Sequence, residues 1–230
     1  MRSGKGIAGL VFDKDGTLFD FEATWGDWAA RLLTELCGPR AAEAGQALGF
    51  DVASRSFTPA SPIIAETSGT VAKLLLPHVP GWELEPLIRK MKAEAAATRL
   101  IEAVPLKPLF ADLTARGLKL GLATNDDESS ARAHLQSAGI DGHFGFVAGW
   151  DSGWGGKPEA GQLMAFLRWS GLAPEAVAMI GDSLHDLEAG HAAGMVTVGV
   201  LTGPATRAEL APVAEVILDD IGALPDWLGA

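Results

Sequence analysis

Apolar positions along the chain follow two different periods. From about Thr24 to Glu102 they recur every three or four residues, as in Trp25-Gly26-Asp27-Trp28-Ala29-Ala30-Arg31-Leu32-Leu33, the stripe of an amphipathic helix. No strand pattern stands out in that zone. Elsewhere, short apolar runs at Ile7–Phe12, Leu118–Ala123, Phe146–Ala148, Val177–Ile180, Val196–Val200 and Val216–Leu218 alternate with amphipathic helical segments. Strands separated by helices predict a parallel sheet covered on its faces, so the fold class is α/β. The helical zone then interrupts the sheet domain, with residues 1–20 and 104–230 forming the core and 21–103 a helical domain. Thr17–Ala23 and Glu102–Pro105 read as its linkers. Ser54–Pro62 is polar and proline-bearing, a turn region that ends on a helix start with Ser61 as cap and Pro62 in first position.

Open α/β sheets bind ligands beyond the carboxyl ends of their strands. The first such end carries Asp13-Lys14-Asp15-Gly16-Thr17-Leu18. Carboxylates at the end of a buried strand are costly unless paired or bound to a metal. Residues two apart in an extended segment share a face, so Asp13 and Asp15 can serve one reacting centre. One can attack and form a covalent intermediate while the other moves protons. Two close carboxylates also push one pKa up. Asp-x-Asp-Gly also opens calcium loops, but those need glycine at the sixth position and glutamate at the twelfth. Here those positions are Leu18 and Thr24. A plain strand-to-turn junction stays open as the alternative.

Three later strand ends carry polar groups. Thr124-Asn125-Asp126-Asp127 leads into a helix near Ser129, where a hydroxyl and free N–H groups can hold phosphate. Asp126 or Asp127 is expected to cap that helix, and Thr124 is the ligand candidate. Gly149–Pro158 is a glycine-rich loop with Lys157 near its end, and Pro158 suits the first turn of a following helix. Lys157 can neutralise a nucleophilic carboxylate and a phosphoryl oxygen, or be an ordinary solvated lysine. Gly181-Asp182-Ser183-Leu184-His185-Asp186 adds carboxylates at a third turn. Asp13 and Asp182, with or without Asp186, suit a hard magnesium ion. Zinc is disfavoured because no Cys or His cluster has ligand spacing. His185 is read as structural.

Composition narrows the class. The 230 residues, 48% hydrophobic, can bury a large core plus a smaller second domain. A net charge of −11, from 18 Lys and Arg against 29 Asp and Glu, argues against nucleic acid, which needs a basic face. A leader pattern is missing and no apolar run approaches the roughly 20 residues of a membrane span, so no membrane partner and a cytoplasmic location are expected. The single Cys37 has no internal disulfide partner and reads as a small buried hydrophobe. Seven Trp could fill the core, the helical domain or an interface; monomer and homodimer are both open.

Taken in order, Asp13-Lys14-Asp15-Gly16-Thr17, Thr124-Asn125, Lys157-Pro158 and Gly181-Asp182-Ser183 to Asp186 closely resemble the four motifs of the haloacid dehalogenase (HAD) superfamily, most of all phosphoglycolate phosphatase-like hydrolases. The resemblance implies a Rossmann-like parallel sheet core with an inserted α-helical cap domain. It implies a magnesium-dependent phosphatase that hydrolyses a small phosphorylated metabolite through an aspartyl-phosphate. Asp13 would be the nucleophile and Asp15 the general acid/base. Thr124 would hold the phosphoryl group and Lys157 would steady it. Asp13, Asp182 and the backbone carbonyl of Asp15 would hold Mg2+, with Asp186 either a ligand or a support. N–H groups near Asp15, Gly16 and Asn125 would face the phosphoryl oxygens. Dehalogenases of the superfamily lack the second aspartate, so Asp15 argues against dehalogenation. One departure is Ala160, where many relatives carry a second proline. Lys73, Lys90 and Lys92 are read as solvated lysines rather than Schiff-base formers. Arg55, with Phe57 and Ser61, is the expected substrate contact from the cap. The alternatives are a phosphomutase of the same superfamily and a non-catalytic binding protein.

Overall fold

The computed structural model describes residues 3–58 and 60–229, apart from the side chain of Ala65. The chain forms two compact units, one of Met1–Asp20 with Glu102–Ala230 and the other of Phe21–Ile101. Among the described residues no helix is long and apolar enough to cross a membrane.

The first unit opens with β1 (Gly9–Phe12), all four residues buried. The expected strand is shorter at its start: the Ala8 N–H already donates to Ala176 O at 2.7 Å, but Ile7 turns back onto Gly4. The chain then leaves for the second unit through α1 (Phe21–Cys37), α2 (Ala41–Ala47), β2 (Phe50–Asp51), β3 (Ser56–Phe57), α3 (Pro62–Ala65), α4 (Ser68–Leu75) and α5 (Leu84–Ala96). Phe21, Trp25, Trp28, Leu32 and Leu33 form one buried stripe of α1 and pack with Val71, Leu75, Leu87 and Met91 into a separate core. Phe21–Ala23, expected as linker, is therefore the first turn of α1.

A strand pair inside this unit corrects the all-helical expectation. Phe50 pairs with Phe57 and Asp51 with Ser56, antiparallel. Asp51 Oδ1 accepts from Ala53 N and Ser54 N, which folds the turn, and Arg55 completes it at φ 57°. Two-residue strands are too short to display a period of two. Ser61 does cap α3, accepting from Ile63 N at 3.3 Å, with Pro62 in first position; Pro59 lies outside the described residues.

Back in the first unit come α6 (Leu106–Ala115), β4 (Lys119–Ala123), α7 (Glu128–Ala138), β5 (Phe146–Ala148), α8 (Gly161–Ser170), β6 (Val177–Gly181), α9 (Leu184–Ala192), β7 (Val196–Val200), α10 (Arg207–Leu210), β8 (Val216–Leu218) and α11 (Leu224–Leu228). Six strands form one parallel sheet in the order β5-β4-β1-β6-β7-β8. Strands buried on both faces read as continuous apolar runs, which is why they are legible in the sequence. Alternate residues serve opposite faces. Val11, Ala123 and Met179 join Leu163 and Phe166 of α8 and Ala189 of α9. Phe12 packs instead on Phe110 of α6 and on Phe144, edge to face.

Departing and returning chains meet within this unit. Phe19 bridges Glu102, and Ala103 N donates to Leu18 O at 3.0 Å.

Gly121 lies in mid-strand, where an added Cβ would stand 2.5 Å from the Phe166 ring. Phe166 is fully buried and has little room to yield. Gly121→Ala is expected to destabilise the protein by about 1–3 kcal/mol through overpacking, read as a lower midpoint in urea unfolding.

Candidate functional site

The carboxyl ends of β1, β4, β6 and β7 supply the side chains. Asp13 follows β1, anchored by its N–H to Ile180 O at 2.8 Å. The next residues wind one tight turn, with the N–H groups of Leu18 and Phe19 both donating to Lys14 O, and Gly16 crosses it at φ 80°. Thr124 follows β4, buried, and its Oγ1 accepts from Asp126 N at 3.1 Å. Asp182 follows β6 and is also buried. Ser183 and Asp186 then cap α9 reciprocally: Asp186 Oδ2 accepts from Ser183 N at 3.0 Å and Ser183 Oγ at 2.6 Å. Aspartate in the third position also suits the positive end of the helix.

Lys157 reaches this group from the loop after β5. Its Nζ donates to Asp13 Oδ1 at 2.5 Å and to Asp186 Oδ1 at 2.6 Å. Two amide contacts hold its backbone: Asn125 Nδ2 donates to Lys157 O at 2.9 Å, and Lys157 N to Asn125 Oδ1 at 2.8 Å. The Asn125 side chain is thereby committed to placing the lysine, while the expectation for the phosphoryl oxygens concerns its backbone N–H. Gln162, fully buried on α8, donates to Thr124 O at 3.0 Å and Gly155 O at 3.1 Å, tying the lysine loop to the threonine turn. The Lys157–Pro158 bond is cis and α8 starts only at Gly161, so Pro158 belongs to the loop and not to the helix as expected.

Charge decides what the cluster can hold. Ligand oxygens of Asp13, Asp182 and Asp186 all lie within 4.8 Å of one another, and one ammonium faces three carboxylates. Burial pushes the Asp13 carboxyl up to about 7; Lys157 pulls it down, while Asp186 and Asp15 push it further up. Burial likewise lifts Asp182 well above the usual carboxylate range, helped by repulsion from Asp186 and Asp13. Burial alone would lower the Lys157 pKa, but Asp13 and Asp186 outweigh it and the ammonium is held above its ordinary value. When all three carboxylates are ionised they exceed the Lys157 ammonium by two negative charges, and their hard oxygen donors fit a divalent cation such as Mg2+.

Asp15 turns to a different cation. Its Oδ2 lies 2.6 Å from Lys14 Nζ, which also meets Asp126 Oδ2 at 3.3 Å and His134 Nδ1 at 3.2 Å. Lys14 is completely buried; burial would lower its pKa, but Asp15 and Asp126 carry it above the ordinary lysine value. The alternation of sequence gave no sign of that burial.

The candidates drawn from sequence are thus partly assembled. Asp13, Lys157, Asp182 and Asp186 form one contact group, with Thr124 at the neighbouring strand end. Gly16 presses on Asp182: a Cβ there would stand 2.4 Å from its Oδ2. Arg55 belongs to the other unit, where it pairs with Asp27 and remains largely exposed. Phe57 and Ser61, named with Arg55 as expected substrate contacts, are buried in packing and hydrogen bonds of their own unit. Phe57 packs on Phe21 and Phe50, and the Ser61 hydroxyl donates to Leu48 O at 2.6 Å. The capping expectation for α7 also changes. Asp127 makes no side-chain cap, and the Glu128 N–H donates across to Asp151 Oδ1 at 2.9 Å. His185 is half-buried, and its Nδ1 makes no hydrogen bond.

Thr202 and Gly203 also reach the candidate site; they are not among the residues expected from sequence, although the strand-end rule applies equally to β7. Thr202 Oγ1 donates to Gly16 O at 2.6 Å. A Cβ on Gly203 would fall 1.7 Å from Asp182 Oδ2, so only glycine lets the loop close there.

Comparisons with known proteins agree with this architecture. The haloacid dehalogenase-like hydrolase family matches residues 7–194. The phosphoglycolate phosphatase of Salmonella typhi is 32% identical over 213 residues, spanning 88% of this chain and 84% of that one. The phosphoglycolate phosphatase of Rhodospirillum rubrum is 35% identical over 121 residues, which covers 53% of this chain and only half of that enzyme. Among solved structures, a predicted phosphoglycolate phosphatase from Haemophilus somnus superposes with a TM-score of 0.76 at 20% identity, covering 96% of this chain and 97% of that one. A Bacillus subtilis protein of the HAD-hydrolase type, solved with magnesium bound, gives 0.71 at 21% identity over 97% and 99%. A β-phosphoglucomutase from Clostridium difficile gives 0.66 at 16% over 95% and 93%. At these identities the structural likenesses establish the fold alone; the family rests on the sequence matches. The chain belongs to the haloacid dehalogenase-like hydrolases, on their phosphoglycolate phosphatase-like side, and is an enzyme of the phosphatase kind.

Proposed function

We propose that the protein hydrolyses a small phosphate monoester of the phosphoglycolate type, with Mg2+ as cofactor and Asp13 as the covalent nucleophile. The observation that carries this reading is the buried group of Asp13, Asp182 and Asp186 around the single ammonium of Lys157. Its charge suits a divalent cation, and its placement at the strand ends suits a phosphoryl group.

In the first step a carboxylate oxygen of Asp13 attacks phosphorus. The P–O bond to the leaving group breaks, and Asp15 gives that oxygen its proton. In the second, Asp15 takes a proton from water as the water oxygen attacks phosphorus. The bond to Asp13 breaks, releasing orthophosphate and restoring the carboxylate. Thr124 and the N–H groups of Asp15 and Asn125 would orient the phosphoryl oxygens, since the Gly16 N–H, also expected there, already donates to Phe19 O at 2.7 Å; Lys157 would stabilise their charge throughout the transfer. When bound, Mg2+ would add charge stabilisation and orientation of the phosphoryl group, held by the carboxylates of Asp13 and Asp182 and the carbonyl of Asp15. Asp186 supports the site by holding Lys157, since both of its oxygens already accept from Lys157 or Ser183. Phe21–Ile101 would be the cap that selects the leaving group, with Arg55 meeting an anionic substituent. A reducing cytoplasm accords with the lone buried Cys37.

Phosphate release from 2-phosphoglycolate in the presence of Mg2+ tests the reading directly. Asp13→Asn is expected to lower it by at least about 10³-fold; full retention would exclude Asp13 as nucleophile. Isomerisation of a sugar phosphate without release would instead identify a phosphomutase, and inertness across a panel of phosphate esters a binding protein.

Asp182→Asn, which removes the charge of a direct ligand, should weaken Mg2+ binding by at least the roughly 10- to 100-fold that loss of an outer-shell partner costs at other metal sites, measured by calorimetric titration. Magnesium binding should also be pH-dependent. The folded pKa of Asp13, about 7, exceeds its unfolded value of 3.8. This group therefore costs the metal-free protein stability as pH rises from about 4 to about 7. Bound cation offsets that cost only where the carboxyl is ionised. Thermal melts should show a larger rise in Tm with Mg2+ at pH 8 than at pH 5.

A further inference from the structure

The fully buried Lys14 is unused by the chemistry above. An ammonium removed from water is costly, and replacing a buried ion pair by apolar side chains is often neutral or stabilising. Stability alone is a weak reason for a lysine in the middle of Asp13-Lys14-Asp15. Its neighbours suggest another reason. The Asp126 N–H donates to Thr124 Oγ1, and Asp126 Oδ1 accepts from Asp127 N at 2.8 Å, so that carboxylate is fixed at the entrance to α7. Its Oδ2 meets Lys14 Nζ, which His134 of α7 also contacts and which in turn meets Asp15 Oδ2. A continuous polar path thus runs from the Thr124 hydroxyl through Asp126 and Lys14 to the Asp15 carboxylate.

We propose that Lys14 is a positioning residue for proton transfer: anchored by Asp126 and His134, it grips one oxygen of Asp15 and fixes the direction in which that carboxylate faces the leaving group and the attacking water. The proposal rests on Asp15 being the acid/base, as in the preceding section. It separates two halves of the reaction. A poor alkyl leaving group needs a proton during phosphoryl transfer, whereas an aryl leaving group departs unaided. Attack by Asp13 on an aryl ester should then proceed without Lys14, while hydrolysis of the aspartyl-phosphate, which uses Asp15 as base, should not.

The experiment compares 2-phosphoglycolate with p-nitrophenyl phosphate in wild type, Lys14→Met, Asp126→Asn and Asp15→Asn. For Lys14→Met, kcat/KM on 2-phosphoglycolate is expected to fall by about tenfold or more, within the range of general acid catalysis. On p-nitrophenyl phosphate kcat/KM should stay within about threefold while kcat falls and a nitrophenol burst emerges, since formation of the intermediate then outpaces its hydrolysis. Equal losses on both esters, or no loss, would overturn the proposal. If Lys14→Met does not fold, Asp126→Asn decides. Its amide keeps the bond from Asp127 N but loosens Lys14, and the same split should appear at about threefold or more; its absence overturns the proposal. Asp15→Asn is the reference. Should it lack the split, the acid/base assignment itself fails; should it show the split while Lys14→Met and Asp126→Asn do not, only the role of Lys14 fails.

Discussion

Three carboxylates around one buried ammonium are the constraint on which the rest of the core depends. Lys157 cannot leave without uncovering the buried carboxylates of Asp13 and Asp186, and if either aspartate turned away the ammonium would lose one of the two carboxylates it bridges. The surrounding hydrogen bonds answer that demand. Asn125 grips the lysine backbone from both sides, Gln162 joins its loop to the threonine turn, and Ser183 occupies the second oxygen of Asp186. Glycines at 16 and 203 bring bare backbone against Asp182 where a side chain would collide. The sheet's role is to deliver these groups from neighbouring strand ends with little freedom left.

The paired aspartates of the first motif divide between two cations. Asp13 faces Lys157, and Asp15 faces Lys14. Each carboxylate thus has its own cation, although Asp15 still adds to the upward push on the Asp13 pKa. The division also gives the proposed nucleophile and the proposed proton carrier separate mechanical supports: one on the loop after β5, the other at the start of α7.

Much of the fold was legible because its strands are buried on both faces. Phe146–Ala148, Val196–Val200 and Val216–Leu218 coincide with the apolar runs, and the others shift by one or two residues at an end. The strand pair of Phe50–Asp51 with Ser56–Phe57 was not legible, since two residues carry no period. Nor could local sequence announce that Asp151 would satisfy the start of α7, because that partner arrives through the sheet. Asp13, Lys157, Asp182 and Asp186 were suggested by strand-end position and meet in space. The burial of Lys14 and the packing of Phe57 on Phe21 depended on contacts between segments distant along the chain, which no local pattern encodes.

The strand-like pairing of Phe19 with Glu102, reinforced by Ala103 on Leu18, fastens the exit and re-entry of the chain side by side. Closing a long loop costs only slightly more entropy than closing a short one, so the core is nearly indifferent to what hangs between Asp20 and Glu102. Such a seam makes the intervening segment an exchangeable module. Evolution or an engineer could lengthen, shorten or replace it while the strand-end groups stay where the sheet set them.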